Sequence, residues 1–381
     1  MESHPDLRPS FLLDPDVVYL NHGSFGACPK PVFDAYQSLQ RQLEREPVQF
    51  LAVHAADLLQ TARSSLAEFV GCPPDDVVYF PNPTTAINMV ARSLDLQPAD
   101  EILTTDHEYG AMDRTWRFIC GETGAVHVRA SIPLPLPSTD EIVERIWGRV
   151  SPRTRIVFLS HITSQTAVTF PVDVICERAR EAGIISIIDG AHAPGQIPLD
   201  LSTLGADIYT GACHKWLCAP KGSAFLYARP GIQPMLKPLV VSWGWEAEEP
   251  SGSNFIDHHE WQGTRDLAAF LSVPDAIAFQ RDHDWPAVQL ACHQLAVRAR
   301  ARINQVLGQE PICGDHAFHQ MFTISLPISD PERLQTQLFR DHRVEVPVFQ
   351  WGNACRMRVS VQAYNSQADI DALIEALDVV V

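Results

Sequence analysis

Long apolar runs are missing from this sequence. Nowhere do about 18 apolar residues follow one another, so no membrane-spanning helix is expected. The opening MESHPDLRPSFLLDP lacks a basic stretch followed by an apolar core and does not read as a signal peptide. Basic residues are scarce: 29 Lys and Arg stand against 46 Asp and Glu, for a formal net charge of −17. That balance excludes a general nucleic-acid or anionic-membrane binder, while leaving room for a locally positive pocket. The 9 cysteines are scattered, with no CxxC pair and no metal-ligand spacing. They read as reduced thiols, so a cytoplasmic protein without a disulfide framework or metal site is expected. No GxGxxG follows an early strand, which sets aside a nicotinamide dehydrogenase. Internal repeats and low-complexity segments are absent as well.

What is present has an ordinary globular balance, with 46% hydrophobic and 20% charged residues over 381 positions. This length suggests a larger and a smaller domain. A loose polar arm is expected over 1–18, a large ligand-binding domain over 19–262 and a small α+β domain over 263–381. Helical spacing marks 31–45 and 52–70. From residue 77 onward short apolar runs alternate with helical stretches. VVYF (77–80), EILTT (101–105), AVHVRA (125–130), RIVFLSHI (155–162), IISIID (184–189), ADIYTGA (206–212) and SAFLYAR (223–229) read as seven strands. Helices are expected between them at 84–94, 111–120 and 172–182. This alternation predicts an α/β fold, a mostly parallel seven-stranded sheet between helices. The segment 231–263 reads as a long irregular connection. Helices at 265–282, 285–307, 334–340 and 369–377, with strands at 321–327, 344–349 and 357–362, complete the chain.

In such sheets ligands bind at the carboxyl ends of the strands. Polar clusters fall at those ends: 106–109, 161–164, 189–192 and 214–215. Lys215 follows the strand 206–212. Asp189 ends an apolar strand, where a carboxylate needs a partner such as a pyridinium nitrogen. His192 lies three residues on, within reach of the same ring. Asn82-Pro83-Thr84-Thr85 opens a helix, and either threonine can help cradle an anion at the helix N-terminus. His214 can also reach a phosphate.

DGAHAPGQ (189–196) and GACHKW (211–216) resemble the aspartate and lysine motifs of fold-type I pyridoxal-phosphate (PLP) enzymes, class V aminotransferase family. NPTTAIN (82–88) resembles that family's phosphate-binding turn. QGTRD (262–266) resembles the segment that reaches the neighbouring subunit's cofactor, and RVSVQAYN (358–365) the segment whose arginine grips the substrate carboxylate. YLNHGSFGACP (19–29) and DHEYGA (106–111) point to the isopenicillin N epimerase-like branch.

The resemblance implies a fold-type I PLP-dependent transferase fold in which Lys215 carries the cofactor as a Schiff base and Asp189 pairs with its ring nitrogen. It implies that His192 and Ser164 lie near the phenolic oxygen, and that Thr84, Thr85 and His214 bind phosphate together with Thr264 of a homodimeric partner. Arg358 binds the substrate carboxylate, Tyr109 or His107 stacks on the ring, and Asn21, His22 and Gly23 line the substrate side. Tyr109 or His22 is a candidate second proton donor. The implied substrate is a small amino acid that loses its α-proton. Epimerase or racemase, aminotransferase and C–S lyase outcomes all follow from that start, with epimerase-like chemistry ranked first. A catalytically silent binding protein of the same fold is the alternative of another class. Cys355, nearly adjacent to Arg358 on an expected strand, reads as structural rather than as a persulfide carrier.

Overall fold

The computed structural model describes residues 7–380. Twelve strands form three sheets. In chain order they are β1 (Val18–Tyr19), β2 (Val77–Phe80), β3 (Glu101–Thr105), β4 (Val126–Ala130), β5 (Thr154–Ser160), β6 (Ile185–Asp189), β7 (Ile208–Ala212), β8 (Ala224–Ala228), β9 (Met321–Leu326), β10 (Val344–Glu345), β11 (Val348–Trp351) and β12 (Ala354–Ser360). The central sheet has seven strands in the order β2-β8-β7-β6-β5-β3-β4. Only β8 runs antiparallel to its neighbours. The expected mostly parallel α/β sheet is therefore the observed one.

The sheet is buried on both faces because its strands are apolar at consecutive positions rather than at alternate ones. Val77, Tyr79, Leu103, Val157, Leu159 and Ile188 enter one core. Their neighbours Val78, Phe80, Ile102, Ile156, Phe158 and Ile187 enter a second core on the other face. The period of two in side-chain direction thus builds both layers from one run of residues.

Local chemistry sets the helix boundaries. Asn82 caps Pro83–Ser93, its side chain accepting from the Thr85 N–H at 2.8 Å, with Pro83 in the first turn. A helix over Thr139–Trp147 lies outside the sequence expectations, although Ser138 and Glu141 carry the cap signal, the Ser138 hydroxyl accepting from the Glu141 N–H at 3.3 Å. The expected helix 265–282 is two pieces, Ala268–Leu271 and Val273–Asp282, the second with Pro274 in its first turn. The expected helix 52–70 begins at Ala55, after a π-helical turn over Gln49–His54.

The expected strand 344–349 is also split. Pro347 has no N–H to give a ladder, so β10 pairs in parallel with β1 while β11 forms a hairpin with β12. A three-stranded sheet β11-β12-β9 forms the second layer of the C-terminal region. Residues 7–18 correct the expectation of a loose arm. Leu7 and Phe11 are buried, and Phe11 packs edge-on against Phe279 and Tyr364. Residues 1–6 of that arm lie outside the described residues. Ala268–Leu271 and Val273–Asp282, which a boundary at 263 assigns to the small domain, pack against the helices Lys30–Arg45 and Ala55–Val70.

Gly26 shows how tightly the N-terminal segment presses on the turn after β7. Its φ is +69°, and a Cβ there would stand 2.0 Å from the His214 carbonyl oxygen. Gly183 has a similar φ of +68° with open space around it. Gly183→Ala should therefore cost about 1 kcal/mol, the left-handed strain alone, whereas Gly26→Ala should cost about 3 kcal/mol or more. Urea unfolding midpoints of the two variants check this difference.

Candidate active site

A cavity of about 660 Å³ opens at the carboxyl ends of the parallel strands. Five of the strand ends contribute to its lining: Asn82 and Thr84 after β2, Tyr109 after β3, Ser160 and Ser164 at and after β5, Asp189 and His192 at and after β6, and His214 and Lys215 after β7. A second cavity of about 580 Å³ shares Ser24, Phe25, Tyr109, Ser164 and Lys215 with the first, and extends to Gly23, Gln165, Pro347, Phe349 and Arg358. The two form one cleft between the central sheet and the three-stranded sheet.

Lys215 is buried, and Nζ lies 3.2 Å from His192 Nε2. The Trp216 indole N–H donates to His192 Nδ1 at 3.2 Å. Since Nδ1 is thereby an acceptor, a neutral imidazole carries its proton on Nε2 and directs it at Nζ. Burial holds His192 well below the ordinary histidine range, so the ring is neutral. Lys215 therefore meets a donor and accepts with a lone pair. Burial and the Arg358 charge lower Lys215 from 10.5 to about 8, while Asp189 opposes them.

Asp189 is 4% exposed. One oxygen accepts the Ala191 N–H at 2.9 Å. Among the described residues the other oxygen has no hydrogen-bond partner, and Asp189 faces the cavity. Burial raises its pKa, opposed by the Ala191 N–H and by Lys215. Gly190 is required beside it, because a Cβ there would sit 2.1 Å from the Tyr209 ring. The Tyr209 hydroxyl in turn lies 3.0 Å from His161 Nδ1.

The turn after β3 projects one side chain into the cleft and anchors the other three. Asp106 accepts from the Ile132 N–H and the Ser131 hydroxyl. His107 Nδ1 lies 2.7 Å from the Thr166 hydroxyl and Nε2 2.8 Å from the Ile132 carbonyl oxygen. Glu108 accepts from the Thr105 hydroxyl and from both the N–H and hydroxyl of Ser160, at 2.6–2.8 Å. Burial raises Glu108 to about 7 against those hydrogen bonds, and the nearby Asp189 charge adds to the rise. Tyr109 is left 46% exposed and lines both parts of the cleft. Of His107 and Tyr109, it is Tyr109 that lines the cleft. His107 is fully buried, packed on Phe170 and Trp351, and does not line the cleft.

Other expected residues fall in two groups. Thr84, Ser164, His192, His214, Lys215, Gly23 and Arg358 line the cleft with Asp189 and Tyr109. Thr85, Asn21, His22 and Thr264 do not. The Thr85 hydroxyl is turned back onto Asn82 at 3.0 Å. Asn21 lines a separate surface cavity and accepts the Ser24 hydroxyl at 2.5 Å. His22 is buried behind the lysine, its Nε2 2.9 Å from the Lys215 carbonyl oxygen and its Nδ1 2.9 Å from the Tyr364 hydroxyl. Burial lowers His22 to about 3, which corrects its reading as a proton donor in the cleft. Thr264 lies on the exposed surface beside Trp243 and Val48.

Arg358 is held by Ser164, whose carbonyl and hydroxyl accept from Nη1 at 2.6 and 3.2 Å, and by Ser24, whose hydroxyl accepts from Nη2 at 2.9 Å. The Ser164 hydroxyl expected near a ring oxygen is thus bonded to the arginine. Ser24, Phe25, Glu108 and Ser160 lie outside the sequence expectations. Ser24 and Phe25 stand in the singled-out stretch 19–29, one step beyond the residues chosen from it. Cys355 is 3% exposed and enters the core with Met357 and Val359, on the side of β12 opposite Arg358.

Residues 18–373 match the family model for class-V aminotransferases. The isopenicillin N epimerase of Amycolatopsis lactamdurans is 36% identical, over 97% of this chain and 96% of that protein. A probable chloroplastic L-cysteine desulfhydrase of Arabidopsis thaliana is 26% identical, over 96% of this chain and 83% of that protein. Among solved structures, a cysteine desulfurase of Escherichia coli superposes with a TM-score of 0.81 at 23% identity, covering 99% of this chain and 98% of that one. With cleft geometry and a full-length family match in agreement, this chain belongs to the class-V aminotransferase family.

Proposed function

We propose that this chain is a PLP-dependent enzyme that inverts the α-carbon of an amino acid, as the name of its isopenicillin N epimerase relatives indicates for them. The observation that carries this reading is the buried Lys215 amine, its pKa lowered to about 8, in the same cavity as Asp189, one of whose carboxylate oxygens lacks a hydrogen-bond partner among the described residues. The residues fit the cofactor. Asp189 offers that free oxygen to a ring N–H, and Thr84 and His214 face the cavity where a phosphate would lie. Lys215 Nζ would hold the aldehyde carbon covalently. When bound, PLP supplies an electron sink that stabilises negative charge at the substrate α-carbon.

The protein's own groups then have distinct tasks. Arg358, presented by Ser24 and Ser164, orients the substrate carboxylate. Lys215, its pKa lowered to about 8, takes the α-proton on one side in its neutral form. Tyr109, reaching the cleft from the end of β3, returns a proton on the other. The anchors of Asp106, His107 and Glu108 fix where that hydroxyl stands. A C–S lyase is the second reading, favoured by the desulfhydrase relatives. Persulfide transfer by Cys355 is disfavoured by its burial on the far side of β12.

The active unit proposed is a homodimer. Its interface would use the apolar surface of Pro47, Val48, Leu51, Trp243 and Trp261, on which Trp243 is 87% exposed. Thr264 on that surface would reach the partner's phosphate site. A cytoplasmic location is proposed from the nine free cysteines. Among the described residues no helix is long and apolar enough to cross a membrane.

Four outcomes are expected. In D₂O with a panel of amino acids, α-deuteration with inversion should exceed release of pyruvate, ammonia or thiol; dominant thiol and pyruvate release would establish the lyase reading instead. Tyr109→Phe should lower inversion about 100-fold or more while α-proton washout from the isomer served by Lys215 persists; equal loss of both would remove Tyr109 from the proton path. Only the neutral amine attacks an aldehyde, so covalent cofactor uptake by apoprotein should rise with pH around a midpoint of about 8 rather than 10.5. Arg358→Gln removes a neighbouring positive charge and should move that midpoint upward, as stopped-flow absorbance would record.

A further inference from the structure

β12 presents two arginines to the cleft side of its sheet. Cys355, Met357 and Val359 point into the core, so Arg356 and Arg358, two residues apart, share the opposite face. They are 8% and 6% exposed. The other buried arginines, Arg63 and Arg300, are paired with Glu260 and Asp315. Among the described residues Arg356 and Arg358 make no ion pair. Arg356 donates to the Ser325 hydroxyl and lies 5.9 Å from the Trp351 ring centre. Each leaves its Nε without a hydrogen-bond partner. The Oε1 of Gln165, another lining residue, is unpartnered too. Burying a guanidinium without an anion is costly, and two such groups side by side cost more. The charge of Arg356 is felt by His107, which burial lowers below the ordinary histidine range and which offers no negative charge.

The register places Arg356 directly opposite Phe349, which lines the cleft beside Arg358. An anion reaching past Phe349 from a substrate held at Arg358 would therefore meet Arg356. We propose that Arg356 is a second anion-binding position, which selects substrates carrying a second carboxylate about 7 Å from the first, the span of two residues of strand. This deepens the reading of the cleft as an amino-acid site and rests on it for the role of Arg358. A simple amino acid leaves Arg356 unsatisfied, whereas an acid with a distal carboxylate completes both arginines at once.

Calorimetric titration of the purified holoenzyme with adipate and with hexanoate tests the proposal without turnover. Adipate should bind about tenfold or more tightly than hexanoate, the gain of one further charge-assisted contact. Arg356→Gln should abolish that preference and leave hexanoate within about twofold, whereas Arg358→Gln should weaken both ligands. Equal binding of the two acids by the wild-type protein, or equal loss of both in Arg356→Gln, would overturn the proposal. Should Arg356→Gln not fold, the series succinate, glutarate, adipate and pimelate decides on the wild-type protein. Affinity must peak at the longer diacids, and a series that merely follows the matching monoacids refutes the site. Absence of a PLP absorption band would sink the enzyme reading while leaving an Arg356-dependent adipate preference standing. A PLP-bearing protein without that preference overturns the second subsite alone.

Discussion

A lysine amine taken out of water, and faced by a neutral imidazole instead of a carboxylate, is the constraint around which this cleft is organised. Such a group is expensive as a cation and useful as a base. The indole of Trp216 fixes the imidazole proton toward Nζ. Arg358 adds a positive field from the facing sheet, and Asp189 keeps an oxygen free in the same cavity. Loss of Arg358 would return the amine toward its ordinary protonated state, whereas loss of Asp189 would lower its pKa further.

The fold delivers these groups through strand ends. Five of the six parallel strands bring Asn82, Tyr109, Ser160, Asp189 and Lys215 to one edge, although they are far apart in sequence. The N-terminal segment and the three-stranded sheet close the cleft from the opposite side. Ser24 and Ser164 join those two layers by sharing Arg358. Gly26 and Gly190 permit the close approaches, one against the lysine turn and one against Tyr209. Substrate binding and the layer contact therefore depend on the same arginine.

Much of this was legible from the residues. Apolar runs such as IISIID could only be buried strands, and the polar residues at their ends marked the site. Lys215, Asp189 and His192 followed from that logic, and Thr84 as one of two threonines at a helix start. What sequence could not give was side-chain direction. Asn21, His22, Gly23 and Ser24 are consecutive, yet only Gly23 and Ser24 face the cleft. His107 and Tyr109 stand two residues apart in an irregular turn, where no period predicts which one projects. Arg356 and Cys355 become meaningful only when the register of β12 assigns them to opposite faces. Glu108 lay hidden because its value comes from donors on Thr105 and Ser160, the latter more than fifty positions away.

The central claim is that the amine at position 215, and no other, carries the cofactor. Borohydride reduction of the purified protein, followed by proteolysis and mass spectrometry, tests it most directly. The account predicts a single reduced pyridoxyl-phosphate adduct on the peptide containing Lys215. An adduct on another lysine, such as the neighbouring Lys221, or no adduct from a protein that binds PLP, would contradict it.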